Sequence, residues 1–408
     1  MKILFLNQFF WPDAAATGQL LTDLARHLAE QGHQVRVICG RSVYAPGADS
    51  SPPPVEMIRL PVLPFTRSLL GRLFSYVSFL AGATLQSLRG PKPDVVITLT
   101  TPPFLHVLGW FIKTVRGSRH YAWEMDIYPD VAVDLHVLRG HSWMVRTIGA
   151  VLDKARRNAD GIIVLGECMR SRLQEHGLPA SRIWVAENWA DSRDIHPLPF
   201  PADRPFTVLY SGNFGLAHDI ATIRETICQL REEQRIRFVF AGDGHYYRLL
   251  QKFCQQQGLP NVAFRPYVPR QRLAESLGGG AIGLVVQNPA CLGAVVPSKV
   301  YGIMAAGRPV LFIGPRQATP SRVIGRFQCG WQVDCGDVER LTALLQDLAD
   351  NPAVVSEAGI RARQAFLEHY DLPVGVNRIC QILGIPSSGP AKPARENWDC
   401  SVPERMRS

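Results

Sequence analysis

The sequence predicts an α/β protein built from two parallel-sheet domains that face each other across a cleft. Three observations carry this. Short β-branched or aliphatic runs alternate with helix-length segments along the chain, which is the pattern of β-α-β units. The 408 residues are enough for two domains that each bury a core. Finally, Asp194-Ile-His-Pro-Leu-Pro-Phe-Pro-Ala-Asp-Arg-Pro205 divides the chain, because its four prolines can continue neither a helix nor a central strand.

In order, the first half offers strands at 2–7, 34–40, 94–100, 120–124 and 161–165. Leu20, Leu21, Leu24 and Leu28 mark the apolar face of the helix after the first strand. The second half offers strands at 207–212, 237–242, 262–267, 281–287, 309–314 and 330–333, then helices near 338–349 and 352–369 and a short one near 374–383. Eleven strands divide more plausibly into two sheets than one. The expected domains are therefore 1–195 and 205–370, with a helix at about 371–384 packing back on the first. Residues 385–408, polar and without periodicity, are expected to be a disordered tail.

Composition excludes several classes. With 46% hydrophobic and 19% charged residues the chain is ordinary globular protein, and no run approaches the roughly 20 apolar residues that span a bilayer. Gln8, Asp13 and Gln19 interrupt the N-terminus before a signal peptide could form, which predicts a cytoplasmic protein. Nine cysteines without a C-x-x-C pair read as reduced and structural. Net charge is +9, and residues 57–123 hold eight bases against one acid. That segment contains two apolar runs, 73–85 with Phe74, Tyr76 and Phe79, and 104–115 with Trp110 and Phe111. Bases beside such runs suit an anionic membrane surface or a lipid phosphate, and equally suit two core helices with solvated arginines. No groove-reading motif points to nucleic acid.

Ligands of open parallel sheets bind beyond the carboxyl ends of the strands, so the loops there hold the candidates. After the first strand, Trp11-Pro-Asp leads to Thr17 and Gly18 at a helix mouth, where a ligand can approach the backbone closely; this is not the dinucleotide fingerprint. The second half opens with Leu209-Tyr-Ser-Gly212-Asn213-Phe214-Gly215-Leu-Ala-His218, a strand and a glycine-rich turn of the kind that cradles phosphate. The next strand ends in Ala241-Gly242-Asp243-Gly244. A helix beginning at Pro297 and Ser298 then carries Lys299 in its first turn, where a cation opposes the helix dipole and an anion would favour it.

Together with Glu124-Met-Asp126-Ile-Tyr-Pro-Asp130, Asn158-Ala-Asp160 and Glu187-Asn-Trp-Ala-Asp191, these motifs stand in the order found in the family 4 (group 1) retaining glycosyltransferases. The chain resembles the WcaI/WbuB-like branch of that family over residues 1–383. The resemblance implies the GT-B fold, two Rossmann-like domains facing across a cleft. It implies a nucleotide-sugar donor bound mainly by the second domain, and a saccharide or polyprenyl-diphosphate-linked acceptor brought by the first. No cofactor beyond this co-substrate and no metal are expected, since no Asp-x-Asp pair closes a strand. Lys299, His218 and the Gly212–Gly215 amides would hold the diphosphate, with Gly242, Gly244, Pro297 and Ser298 completing the donor site. Asp126 or Glu124 would meet the acceptor hydroxyl, beside Gly18 and Thr17.

Two departures stand out. The Arg-x4-Lys of many members falls on Asn213 and His218, and both glutamates of the Glu-x7-Glu signature are replaced, by Ala294 and Gly302. This leaves a branch that holds phosphates by amides, His218 and Lys299, or a non-catalytic nucleotide-sugar-binding partner subunit. A sugar-nucleotide epimerase or hydrolase of the same fold is the rival enzyme class. An active transferase would work at the cytoplasmic face of the plasma membrane if its acceptor is lipid-linked.

Overall fold

The computed structural model describes all residues except Ala14, 42–50, 64–68, Arg139, His141, 202–204, Pro269 and 387–408; for Leu69, Leu70, Arg72 and Arg270 it describes the backbone alone. The expected tail thus lies outside the described residues apart from Ile385 and Pro386. The first sheet contains β1 (Lys2–Leu6), β2 (Gln34–Cys39), β3 (Glu56–Arg59), β4 (Val95–Thr98), β5 (Arg119–Trp123), β6 (Gly161–Val164) and β7 (Ile183–Val185), in the order β3-β2-β1-β4-β5-β6-β7. The second contains β8 (Phe206–Asn213), β9 (Ile236–Asp243), β10 (Val262–Arg265), β11 (Ile282–Val286), β12 (Val310–Ile313) and β13 (Gly330–Val333), in the order β10-β9-β8-β11-β12-β13. Every pairing of neighbouring strands is parallel.

The central strands β4, β6, β11 and β12 are buried along their whole length, as uninterrupted apolar strands are when helices cover both faces of a sheet. The first domain's covering helices are α1 (Ala16–Glu30), α2 (Leu69–Arg89), α3 (Leu105–Arg116), α4 (Asp130–Asp134), α5 (Trp143–Asn158) and α6 (Glu167–Glu175). The second domain carries α7 (Ala221–Gln229), α8 (His245–Gln256), α9 (Leu273–Gly278), α10 (Lys299–Ala305), α11 (Thr319–Phe327), α12 (Val338–Asp350) and α13 (Pro352–His369). Leu20, Leu21, Leu24 and Leu28 of α1 are buried together. Two strands were not predicted, β3 and β7. Both are short sheet edges, and Glu-Met-Ile-Arg and Ile-Trp-Val carry no period of their own; the neighbouring strand makes them strands.

The last helix, α14 (Leu372–Leu383), places Leu372, Val376, Ile379, Cys380 and Leu383 in the first domain's core. The chain therefore crosses between the domains twice. At the crossing Ala190 bridges to Asp371, and Ser192 donates to that carboxylate through its N–H at 3.0 Å and its hydroxyl at 2.8 Å. The proline segment is pinned to the second domain: Arg308 donates to the carbonyls of Leu198 and Pro199, and Arg363 to that of Ile195.

In each sheet the order reverses at its first strand, so β1 lies between β2 and β4, and β8 between β9 and β11. Loops leave the two flanks of such a strand in opposite directions and open a crevice. The loop after β1 leads into Thr17 and Gly18 in the first turn of α1, and the Gly212 to Gly215 turn closes β8.

Candidate active site

The turn after β8 is built on glycine because two strand ends close on each other there. Gly212 pairs with Gly242 and Asn213 with Asp243, and the Phe214 N–H donates to the Asp243 carbonyl at 2.8 Å. A Cβ on Gly242 would lie 2.1 Å from the Gly212 oxygen, and one on Gly244 2.5 Å from the Phe214 oxygen. Beneath the turn the ring of Tyr210 packs against those of Phe214 and Phe240, and its hydroxyl donates to the Asn213 carbonyl at 2.6 Å. Among the described residues the N–H groups of Gly215, Leu216 and Ala217 have no backbone acceptor, which leaves three donors for an anion.

Lys299 is the first residue of α10, with Ser298 at the N-cap and Pro297 before it. The sequence placed this lysine where a bound anion would favour it. Lys299 is half-buried, its ammonium 5.3 Å from the centre of the Tyr210 ring and its chain against Gly212, whose added Cβ would meet Cε at 2.6 Å. Among the described residues no carboxylate pairs with it, and burial pushes its pKa down to about 8. The amine thus stands against the glycine turn, poised to take an anionic partner.

His218 corrects its predicted role as a phosphate ligand. Its Nδ1–H donates to the Gly215 carbonyl at 2.9 Å and its Nε2 lies 3.0 Å from the Tyr210 hydroxyl, whose one proton is shared between that nitrogen and the Asn213 carbonyl, so both ring nitrogens serve the turn. Burial and the nearby Lys299 push its pKa down to about 3, leaving it neutral. His218 shapes the amide cradle and does not line it. At the replaced signature positions, Ala294 is buried, whereas a Cβ at Gly302 would have ordinary clearance, 3.7 Å from the Leu277 side chain.

On the first domain, Asp126 follows β5 and is half-buried. It forms an antiparallel bridge with Val295, and the Ile127 N–H donates to the Ala294 carbonyl at 2.8 Å, so this loop touches the segment that leads into Lys299. Burial, with Glu124 adding its charge, pushes the Asp126 pKa up to about 6. Glu124 corrects the other acid prediction. It is fully buried, paired with Arg156 (Nε to Oε1 at 2.7 Å) and with His106 Nε2 at 3.1 Å, and Arg156 and His106 hold it well below the usual carboxylate range. It faces the core. Gly18 is buried against the backbone of Phe9 and Phe10, with Thr17 half-exposed beside it; neither touches the donor turn in the described contacts.

The domains also meet through Arg172 of α6, which pairs with Asp130 at 2.7 Å and Asp134 at 3.1 Å and donates to the Leu292 carbonyl of the second domain at 3.3 Å. Arg156, Arg172 and Tyr210 gave no signal in the sequence. The two arginines sit in ordinary basic helix ends, and the tyrosine in a strand's alternation.

Two doubly wound domains, with a glycine turn and a lysine on the second and the loop after β5 of the first reaching the segment that leads into that lysine, define a GT-B glycosyltransferase. The glycosyl transferase 4-like domain family matches residues 16–189 and the group 1 glycosyl transferase family residues 192–365, and this chain belongs to the family 4, group 1 glycosyltransferases. It is 26% identical over 338 residues to the probable glycosyltransferase WbjE of Pseudomonas aeruginosa, covering 78% of this chain and 84% of that protein. It is 28% identical over 337 residues to the putative colanic acid biosynthesis glycosyl transferase WcaI of Escherichia coli K12, covering 75% and 82%. Among solved structures it is similar to Anabaena Alr3699/HepE in complex with UDP-glucose, with TM-score 0.69, 15% identity, and 94% and 99% of the two chains covered.

Proposed function

We propose that this glycosyltransferase moves a sugar, with retention of configuration, from a nucleotide-sugar donor to a hydroxyl of a lipid-linked saccharide in the synthesis of a cell-surface polysaccharide. The observation that carries the donor half is the Lys299 ammonium, without a carboxylate partner among the described residues, against the glycine turn with its three open amides. Group 1 membership, the colanic acid assignment of WcaI and the UDP-glucose of the HepE structure support the class of donor and product.

In this reading Lys299 and the amides of Gly215 to Ala217 neutralise the diphosphate as it departs, and this charge stabilisation supplies most of the rate. The bond from C1 to the diphosphate oxygen breaks while the acceptor oxygen bonds to C1 on the same face, and the acceptor proton passes to the departing oxygen. Asp126 accepts a hydrogen bond from the acceptor hydroxyl and fixes its direction. No metal is needed, because the lysine and amides carry the neutralising role. A thermal-shift panel of UDP-, GDP-, dTDP- and ADP-sugars, run with and without EDTA, tests the donor. One family of nucleotides should raise the melting temperature, chelator notwithstanding. No shift with any of them would refute the reading.

Asp126→Asn is expected to lower transfer about 100-fold with the melting temperature unchanged, since the loss is confined to orienting one hydroxyl. In the wild type, activity should fall as pH drops through about 6, where Asp126 takes up its proton. A flat pH profile across this range would exclude the carboxylate.

No helix among the described residues is long and apolar enough to cross a membrane. The predicted docking segment is redrawn by the structure. Phe79 is buried, Arg67 lies outside the described residues, and the Arg72 side chain is not described. Yet Leu73, Phe74 and Val77 of α2, Phe111 and Val115 of α3, and Trp143 and Met144 of α5 are exposed, Trp143 by 78%, on helices that lie side by side. Arg89, Arg146 and Lys154 are exposed on the same helices. We read this as a face for the anionic inner surface of the plasma membrane, each base adding up to about 1 kcal/mol. Phe74→Ser/Trp143→Ser should reduce co-sedimentation with anionic vesicles and leave the low binding to neutral ones unchanged. Equal sedimentation with wild type would remove the membrane face.

A further inference from the structure

We propose that Arg156, buried under the cleft on α5, is the positioning residue that holds the loop from Glu124 to Tyr128 so that Asp126 meets the acceptor hydroxyl. This rests on the acceptor role given to Asp126 above. The guanidinium is 1% exposed and grips both ends of that five-residue loop. Its Nε donates to Glu124 Oε1 at 2.7 Å, its Nη2 to Glu124 Oε2 at 3.2 Å and to the Tyr128 carbonyl at 3.1 Å, and its Nη1 to Asp153 at 2.9 Å. Asp126 is the midpoint, two residues from either anchor. On its other side the loop is fixed to the donor domain by the bridge to Val295 and the Ile127 bond to Ala294. The Asp126 backbone is thus held from beneath by one planar group and from above by the segment leading to Lys299.

A buried ion pair is a costly way to fill a core, since apolar residues of similar volume are often as stable. What this pair adds is direction: a guanidinium fork fixes the angle of its carboxylate and a carbonyl at once, which an ammonium cannot do. The pair also sets the charge around Asp126. Glu124 faces it from its own loop, with Arg156 and His106 behind Glu124, and the Cys291 thiol faces it from the donor domain.

The test compares Arg156→Lys and Glu124→Gln/Arg156→Met with wild type; the double substitution leaves no unpaired charge in the core. Three quantities are read: melting temperature, transfer from the nucleotide sugar selected by the panel to a membrane lipid extract, and the titration of Asp126 by carboxyl-carbon NMR, assigned with Asp126→Asn. The double variant should fold and keep its donor-induced melting shift and donor KM. Its kcat should fall at least tenfold, and Asp126 should titrate below its wild-type midpoint because the Glu124 charge is gone. Arg156→Lys should lose transfer to a similar extent despite keeping the charge. A folded double variant with wild-type kcat would overturn the inference and reduce Arg156 to a core ion pair. Wild-type transfer by Asp126→Asn would instead overturn the acceptor role of Asp126, and the inference with it.

Discussion

Replacing Lys299 by Ala is expected to lower transfer by about 100- to 1,000-fold, the usual cost of removing one preorganised group that stabilises charge in the transition state. The fold should survive. In the donor-free protein the Lys299 ammonium is half-buried against Tyr210 with no carboxylate partner among the described residues, so burial penalises its charged form. The sign of the pH dependence follows. A lysine lowered from 10.5 to about 8 costs stability while protonated, and that cost fades as pH rises from about 8 to 10.5. Lys299→Met should therefore melt no lower than wild type at neutral pH while failing to transfer. If a bound diphosphate restores the ordinary lysine pKa, binding of the nucleoside diphosphate selected by the thermal-shift panel should take up a fraction of a proton near pH 8. Calorimetry in buffers of different ionisation enthalpy reads that uptake directly. Uptake that persists in Lys299→Met would assign the proton elsewhere, and transfer that persists would remove Lys299 from the donor site.

Gly242→Ala is the second large effect. The residue has φ of 140°, where a side chain is strained, and its Cβ would be placed 2.1 Å from a backbone oxygen of Gly212 that has no freedom to move. Strain and overpacking together predict a loss of about 2–5 kcal/mol, or roughly 5–15 °C in melting temperature for a domain of this size. The same displacement moves Gly212 off the Lys299 side chain, so donor binding should weaken more than global stability does. Gly325→Ala is the control. It lies inside α11 with nothing within 4 Å of its Cβ, and should be neutral or stabilising by up to about 1 kcal/mol. Equal behaviour of the two variants would show that the closure of β8 on β9 is not what requires glycine.

Much of the architecture was legible because it is local. Runs such as Val-Val-Ile-Thr in β4 and Ile-Gly-Leu-Val-Val in β11 announce buried parallel strands, and Leu20 to Leu28 announce the face of α1. The proline segment lies between the two sheets, the glycine turn stands at a strand end and Lys299 in the first turn of a helix, as their sequence pattern implied. The sequence expectation failed where a residue's role depends on a partner far along the chain. Glu124 read as a cleft acid because it directly follows a strand, but Arg156, 32 residues on, turns it inward. His218 read as a ligand because it ends a phosphate-type turn, but Tyr210 from the strand below takes its ring.

The order of elements, two sheets, the crevice-forming loops and the candidate donor turn follow from the sequence alone, since β-α-β alternation and glycine chemistry are properties of neighbouring residues. Which ionisable groups stay free to act was decided only by tertiary structure. Packing chooses which charges find partners: it compensates Glu124 and holds His218 neutral, while leaving Lys299 and Asp126 at the cleft with no charged partner among the described residues. That assignment depends on distances between segments brought together by folding, and those distances are not encoded in any local pattern.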